Sequence, residues 1–92
     1  MNVSIIGGST VTQTEHEQAS EVGRLLAEDG HTVVCGGLGG VMAAACEGAK
    51  AAGGTTIGIL PMEQRAAAND YVDVPIATGL GHARNALVVM NG

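Results

Sequence analysis

Four glycine pairs, Gly7-Gly8, Gly36-Gly37, Gly39-Gly40 and Gly53-Gly54, punctuate short apolar runs, and this spacing most restricts the folds open to the chain. An apolar run closed by glycine reads as a buried strand that enters a tight turn. Val3–Ile6, His31–Cys35 and Val72–Thr78 fit that reading, the last with Pro75 as the mark of an edge strand or an irregular start, and Thr55–Leu60 reads as a strand closed by Pro61. The intervening segments have a helical period. Ala19, Val22, Leu25 and Leu26 form one apolar stripe, with Glu15, Glu17, Glu21, Arg24 and Glu28 around the other side. Thr14 and Glu17 make a capping box that opens this helix, and Gly30 closes it. Val41–Ala52 is an Ala-rich second helix, residues 62–71 form a loop with a helical turn near Gln64–Ala68, and His82–Met90 begins a third helix. Strands alternating with helices predict a parallel sheet with right-handed crossovers. The expected architecture is a Rossmann-like αβα sandwich, class α/β, with strand order 3-2-1-4. It spans residues 1–92 as a single domain, read as the N-terminal part of a longer one. Strand four should be left as a free edge that favours a homo-oligomer.

Composition narrows the functions. The apolar fraction is 46 %, yet it includes one Tyr and no Phe or Trp, so Val, Ile, Leu, Ala and Met must build the core. Such a chain lacks the aromatic platform on which single-stranded nucleic acid stacks. A net charge of −5, with four basic residues against nine acidic, disfavours binding to a phosphate backbone. The same excess of acid, with a single Lys, fits a protein made for high salt. Cys35 and Cys46 lack metal-ligand spacing and read as small buried hydrophobes. His16, His31 and Glu47 read as solvent-facing, and Met42, Met62 and Met90 as packing; no metal site is expected. Met1-Asn2-Val3 runs directly into a strand, and no apolar run approaches the ~20 residues of a membrane span. The expectation is a cytoplasmic protein with no signal peptide and no membrane partner.

Three glycine loops could carry chemistry. In Gly36-Gly37-Leu38-Gly39-Gly40-Val41-Met42 the glycines let the backbone approach a ligand, and the helix start favours a phosphate. No Lys-Ser/Thr pair follows, so this is not a Walker A loop. In Gly7-Gly8-Ser9-Thr10 the hydroxyls could donate to a phosphate or merely cap the turn. Gly79-Leu80-Gly81-His82-Ala83-Arg84-Asn85 delivers Arg84 and Asn85 to a helix start at the carboxyl end of strand four. Open α/β sheets bind ligands at that end, at the point where strand order reverses, here between strands one and four. Arg84 suits a phosphate or carboxylate. His82 reads as a local hydrogen-bonding residue.

These residues support a resemblance. Gly36–Met42, Gly48-Ala49 and Ala52-Gly53-Gly54-Thr55-Thr56-Ile57-Gly58-Ile59-Leu60-Pro61 resemble the LONELY GUY (LOG) superfamily of Rossmann-like proteins. Gly79–Asn85 looks most like the branch related to DNA-processing protein A (DprA/Smf) and to molybdenum cofactor carrier proteins. The resemblance implies binding of a nucleotide or a phosphorylated cofactor such as molybdenum cofactor. Gly7, Gly8, Ser9, Gly36, Gly37, Gly39, Gly40, Val41, Met42, Gly81, Arg84 and Asn85 would form the site. The alternative it implies is a hydrolase, a nucleoside 5'-monophosphate phosphoribohydrolase, with Arg84 as its catalytic Arg. The family's second motif, Pro-Gly-Gly-x-Gly-Thr-x-x-Glu, is not in this sequence, and Asn85 replaces the Lys of the Met-His-x-Arg-Lys pattern. The chain by itself is therefore expected to be inactive as a hydrolase. A DNA-processing role by analogy is opposed by the acidic balance.

Overall fold

The computed structural model describes all 92 residues. Four parallel strands, β1 (Asn2–Ser4), β2 (Thr32–Cys35), β3 (Thr56–Leu60) and β4 (Val74–Ala77), form one sheet. Helices α1 (Gln13–Glu28) and α2 (Val41–Ala51) connect the first three strands, and α3 (Arg84–Met90) follows β4. Side chains on β2 alternate between the two faces. Val34 packs with Ile59 against Val88 of α3, whereas Cys35 packs with Met42 and Cys46 of α2. The sheet therefore lies between α1 and α2 on one face and α3 on the other.

The strand order is β1-β2-β3-β4, which corrects the expected 3-2-1-4. The cause is the connection over residues 61–73, which is tied down beside β2 and β3. Asn69 N–H donates to the Gly37 carbonyl (2.8 Å) and Asn69 Nδ2 to the Leu38 carbonyl (2.9 Å). Further along, Thr56 Oγ1 donates to the Tyr71 carbonyl (2.5 Å), and the Asp73 carboxylate accepts from Thr56 N–H (2.9 Å) and from Lys50 (2.9 Å). These bonds deliver the chain to the outer edge of β3, with Ile57 opposite Val74 and Leu60 opposite Ala77. The free edges are β4, as expected, and β1 in place of β3. Pro75, which lacks an N–H, sits on an edge strand where the loss of that donor is tolerated.

The α1 helix starts earlier than expected. The capping box is formed by Thr12 and Glu15: Thr12 Oγ1 accepts from Glu15 N–H (3.1 Å) and Glu15 Oε1 from Thr12 N–H (2.9 Å). The packed face of α1 also differs from the apolar stripe. Val22 and Leu25 remain exposed, while Gly23 is buried. A Cβ at Gly23 would strike the Ala45 carbonyl, and one at Gly48 would strike the Ser20 carbonyl. The helices thus cross with backbones nearly touching, and close approach selects the smallest side chains over the most apolar. His16 and His31 are half-buried, not solvent-facing. His16 pairs with half-buried Glu47 at 3.3 Å, and His31 pairs with Asp29 at 3.0 Å.

No helix is long and apolar enough to cross a membrane.

Candidate functional site

The carboxyl ends of β1, β2 and β3 open into a cleft of about 600 Å³, within the range of small-molecule sites. Its floor is Gly36, immediately after β2. One wall is Ile5, Ile6, Gly7 and Ser9, and the other runs from Pro61 to Gly81, His82, Arg84 and Asn85.

Arg84 reaches this cleft although β4 lies at the far edge of the sheet. After β4 the chain doubles back over the end of β3: Thr78 N–H donates to the Leu60 carbonyl (3.2 Å), Gly79 N–H to Met62 (3.0 Å) and Gly81 N–H to Pro61 (2.9 Å). This return brings the Arg84 guanidinium directly over Gly36. A Cβ at Gly36 would lie 2.7 Å from Arg84 Cζ and Nη2 and 2.7 Å from Met42 Sδ. Glycine is required there for close approach, not for an unusual φ. The cleft therefore forms above β2 and β3 with β1 beside them. A junction between β1 and β4 does not exist, because those strands occupy opposite edges.

Arg84 is half-buried and takes part in none of the ion pairs. Its Nη1 donates to Asn85 Oδ1, and its Nε is buried without a partner. A buried charged donor left unmatched costs more than the ~1–3 kcal/mol of a neutral one. Arg84 itself lines the cleft, where an anionic oxygen would pair with the guanidinium charge. No carboxylate lines the cleft to do so from within the chain.

Of the residues singled out in the sequence, Gly7, Ser9, Gly36, Met42, Gly81, Arg84 and Asn85 line the cleft, whereas Gly8, Gly37, Gly39, Gly40 and Val41 do not. The latter group joins the loops to each other and to the sheet. Val41 N–H donates to the Gly8 carbonyl (3.0 Å), so this donor at the α2 start is already occupied. Gly40, at φ 66°, turns the chain where a Cβ would enter the Gly8–Ser9 backbone. Gly37 lies against Gly58 of β3. His82 also lines the cleft, as do Ile6, Val88 and Val89. His82 was legible only as a neighbour of Arg84, and the apolar lining carries no motif.

Beneath the floor, Cys35 and Cys46 are fully buried with sulfurs 3.4 Å apart. The Cys46 S–H holds the Cys35 thiol below its ordinary range, helped by Gly37 N–H and by Arg84 against the opposing effect of burial. The Cys46 thiol is pushed up by Cys35 and by burial.

The model for the SLOG cluster4 family matches residues 1–92. An uncharacterized protein of Archaeoglobus fulgidus is 44 % identical over 89 residues, covering 97 % of this chain and 58 % of that protein. Among solved structures, the molybdenum cofactor binding protein from the phototrophic bacterium Rippkaea orientalis aligns with a TM-score of 0.86 at 41 % identity. The alignment covers 97 % of this chain and 54 % of that one. The molybdenum cofactor carrier protein MCP from Chlamydomonas reinhardtii aligns with a TM-score of 0.78 at 39 % identity, over 97 % and 54 % of the two chains. The chain spans about half the length of these relatives.

Proposed function

The chain belongs to the SLOG cluster4 family of Rossmann-like proteins, and from that premise we propose that it binds a phosphate-bearing cofactor of the molybdenum cofactor class in the cleft above Gly36. The observation that carries this reading is Arg84, a cation that lines the cleft free of any ion pair and with no carboxylate beside it. A phosphate oxygen is the acceptor it lacks. Charge-assisted hydrogen bonds of this kind are about twice as strong as neutral ones. Ser9 and Asn85 offer further donors, and Gly36 lets the ligand and the guanidinium share the floor. The apolar lining from Ile5, Leu38 and Val88 suits a flat ring system beside the phosphate. When bound, the cofactor supplies a pterin bearing that phosphate. Gly8, Gly37, Gly39, Gly40 and Val41 keep the two glycine loops in register beneath it.

The neighbours in structure are described as binding or carrying molybdenum cofactor, which supports the cofactor reading over a nucleotide. Hydrolysis of a nucleoside 5'-monophosphate needs a carboxylate to stabilise positive charge that develops on the ribose. The cleft wall of this chain has Arg84 for the phosphate and no Asp or Glu for the sugar, so its own residues serve binding. In the same reading the protein is a cytoplasmic carrier that self-associates through its free sheet edges.

The test is anaerobic incubation with molybdenum cofactor released from a molybdoenzyme, followed by gel filtration and molybdenum analysis. AMP and GMP titrations run beside it. Near-stoichiometric molybdenum in the protein peak, and its loss in Arg84→Gln, is the expected result. Failure of all three ligands to bind would overturn the reading, and release of adenine from AMP would favour the hydrolase.

A further inference from the structure

The two cysteines hold a second kind of chemistry. Cys35 ends β2 and Cys46 lies in the middle of α2, so both are carried on rigid elements. Their sulfurs are 3.4 Å apart and fully enclosed by Met42, Leu38 and Val72. Packing alone does not require two thiols to face each other across a strand–helix contact. A disulfide has an S–S length of about 2.05 Å, so a closure of about 1.4 Å from the observed 3.4 Å would join them.

We propose that Cys35 and Cys46 form a redox-active dithiol beneath the cleft floor, which a small peroxide converts to an intramolecular disulfide. The roles of the two sulfurs differ. Cys35 Sγ accepts from Gly37 N–H at 3.3 Å and lies on the Arg84 side, so it is the sulfur better able to carry negative charge. Its thiolate attacks the peroxide: an S–O bond forms, the O–O bond breaks, and the departing hydroxide takes a proton to become water. Cys46 Sγ then attacks the Cys35 sulfur. The S–S bond forms, the S–O bond breaks, and the second hydroxide leaves as water with the Cys46 proton. Two thiols lose two electrons, and one peroxide is reduced to two waters. Sulfurs with no exposed surface are reached only during local opening of the packing, which admits a small peroxide more readily than a bulky disulfide or maleimide. Intracellular disulfides of this type are typically redox-sensing, not structural.

The test treats the reduced, folded chain with hydrogen peroxide, then denatures, alkylates and maps the peptides. The expected product is a Cys35–Cys46 crosslink, lighter by two hydrogens, that dithiothreitol reverses. Folded, reduced protein should resist maleimide over the same period. In Cys46→Ala, Cys35 should be trapped as a sulfenic acid by dimedone added at the denaturation step; in Cys35→Ala, Cys46 should remain a thiol. Should either variant fail to fold, the wild-type peptide map decides alone. Two free thiols with oxygen gained only at Met42, or crosslinks found only between chains, would overturn the proposal.

Discussion

Replacing Gly36 with Ala tests the cleft at its floor without removing any functional group. The new Cβ would sit 2.7 Å from Arg84 Cζ and Nη2 and from Met42 Sδ. Carbon contacts relax near ~3.5 Å, so the guanidinium must retreat by about 0.8 Å. The groups in the way are the far ends of two flexible side chains, so the fold can absorb the methyl. Overpacking costs about 1–3 kcal/mol in rigid surroundings, and the loss of backbone freedom in the unfolded chain returns about 0.4–1 kcal/mol. The net destabilisation should be at most about 1 kcal/mol, a fall in Tm of up to about 8 °C for a domain of this size. Binding should suffer more. A hydrogen bond to a charged group contributes about 1.5–3 kcal/mol, so displacing Arg84 from its ligand should weaken affinity about 10- to 100-fold. Anaerobic binding of molybdenum cofactor, read beside a thermal melt of each protein, measures both effects. Unchanged affinity in a folded Gly36→Ala protein would refute the placement of Arg84 over the ligand. Collapse of the fold would refute the claim that the contacts yield.

Three further outcomes follow from the packing. Gly48→Ala places a Cβ against the Ser20 carbonyl, a backbone atom that cannot swing aside, and should destabilise by about 1–3 kcal/mol in a urea titration. Thr12→Ala removes half of the capping box and should cost about 1 kcal/mol, whereas Thr14→Ala, which caps nothing, should cost much less. Burial pushes the Asp73 carboxyl up, but Lys50 and the Thr56 N–H outweigh it and leave it below the ordinary value of 3.8. Its contribution is therefore present above about pH 4 and lost as pH falls through the depressed folded value. The stability gap between wild type and Asp73→Asn should narrow on acidification below pH 4, and a gap constant with pH would contradict that pairing.

Much of the molecule is legible in the chain because its signals are local. Apolar runs closed by glycine or proline mark β2 and β3 to within a residue, and the Ala-rich period marks α2. The same glycines, with Ser9, Arg84 and Asn85, outline most of the polar wall of the cleft. Less was legible where two readings compete within a few residues. Thr12-Gln13-Thr14-Glu15 and Thr14-Glu15-His16-Glu17 both satisfy the capping-box pattern. The helix takes the earlier one, which lengthens α1 at its start.

The elements themselves, strands, helices and glycine turns in a parallel α/β order, are readable from the chain alone. These depend on periodicity and backbone freedom over a few residues. Tertiary structure alone decided how those pieces meet. The strand order was set by hydrogen bonds from residues 61–73 to β2 and β3, such as Asn69 to Gly37 and Asp73 to Thr56, which join positions far apart in sequence. The packed face of α1 was set by close approach to α2, where Gly23 and Gly48 matter more than Val22 and Leu25. Arg84 over Gly36 and the facing thiols of Cys35 and Cys46 have the same origin, since each contact exists only after the layers have closed on one another.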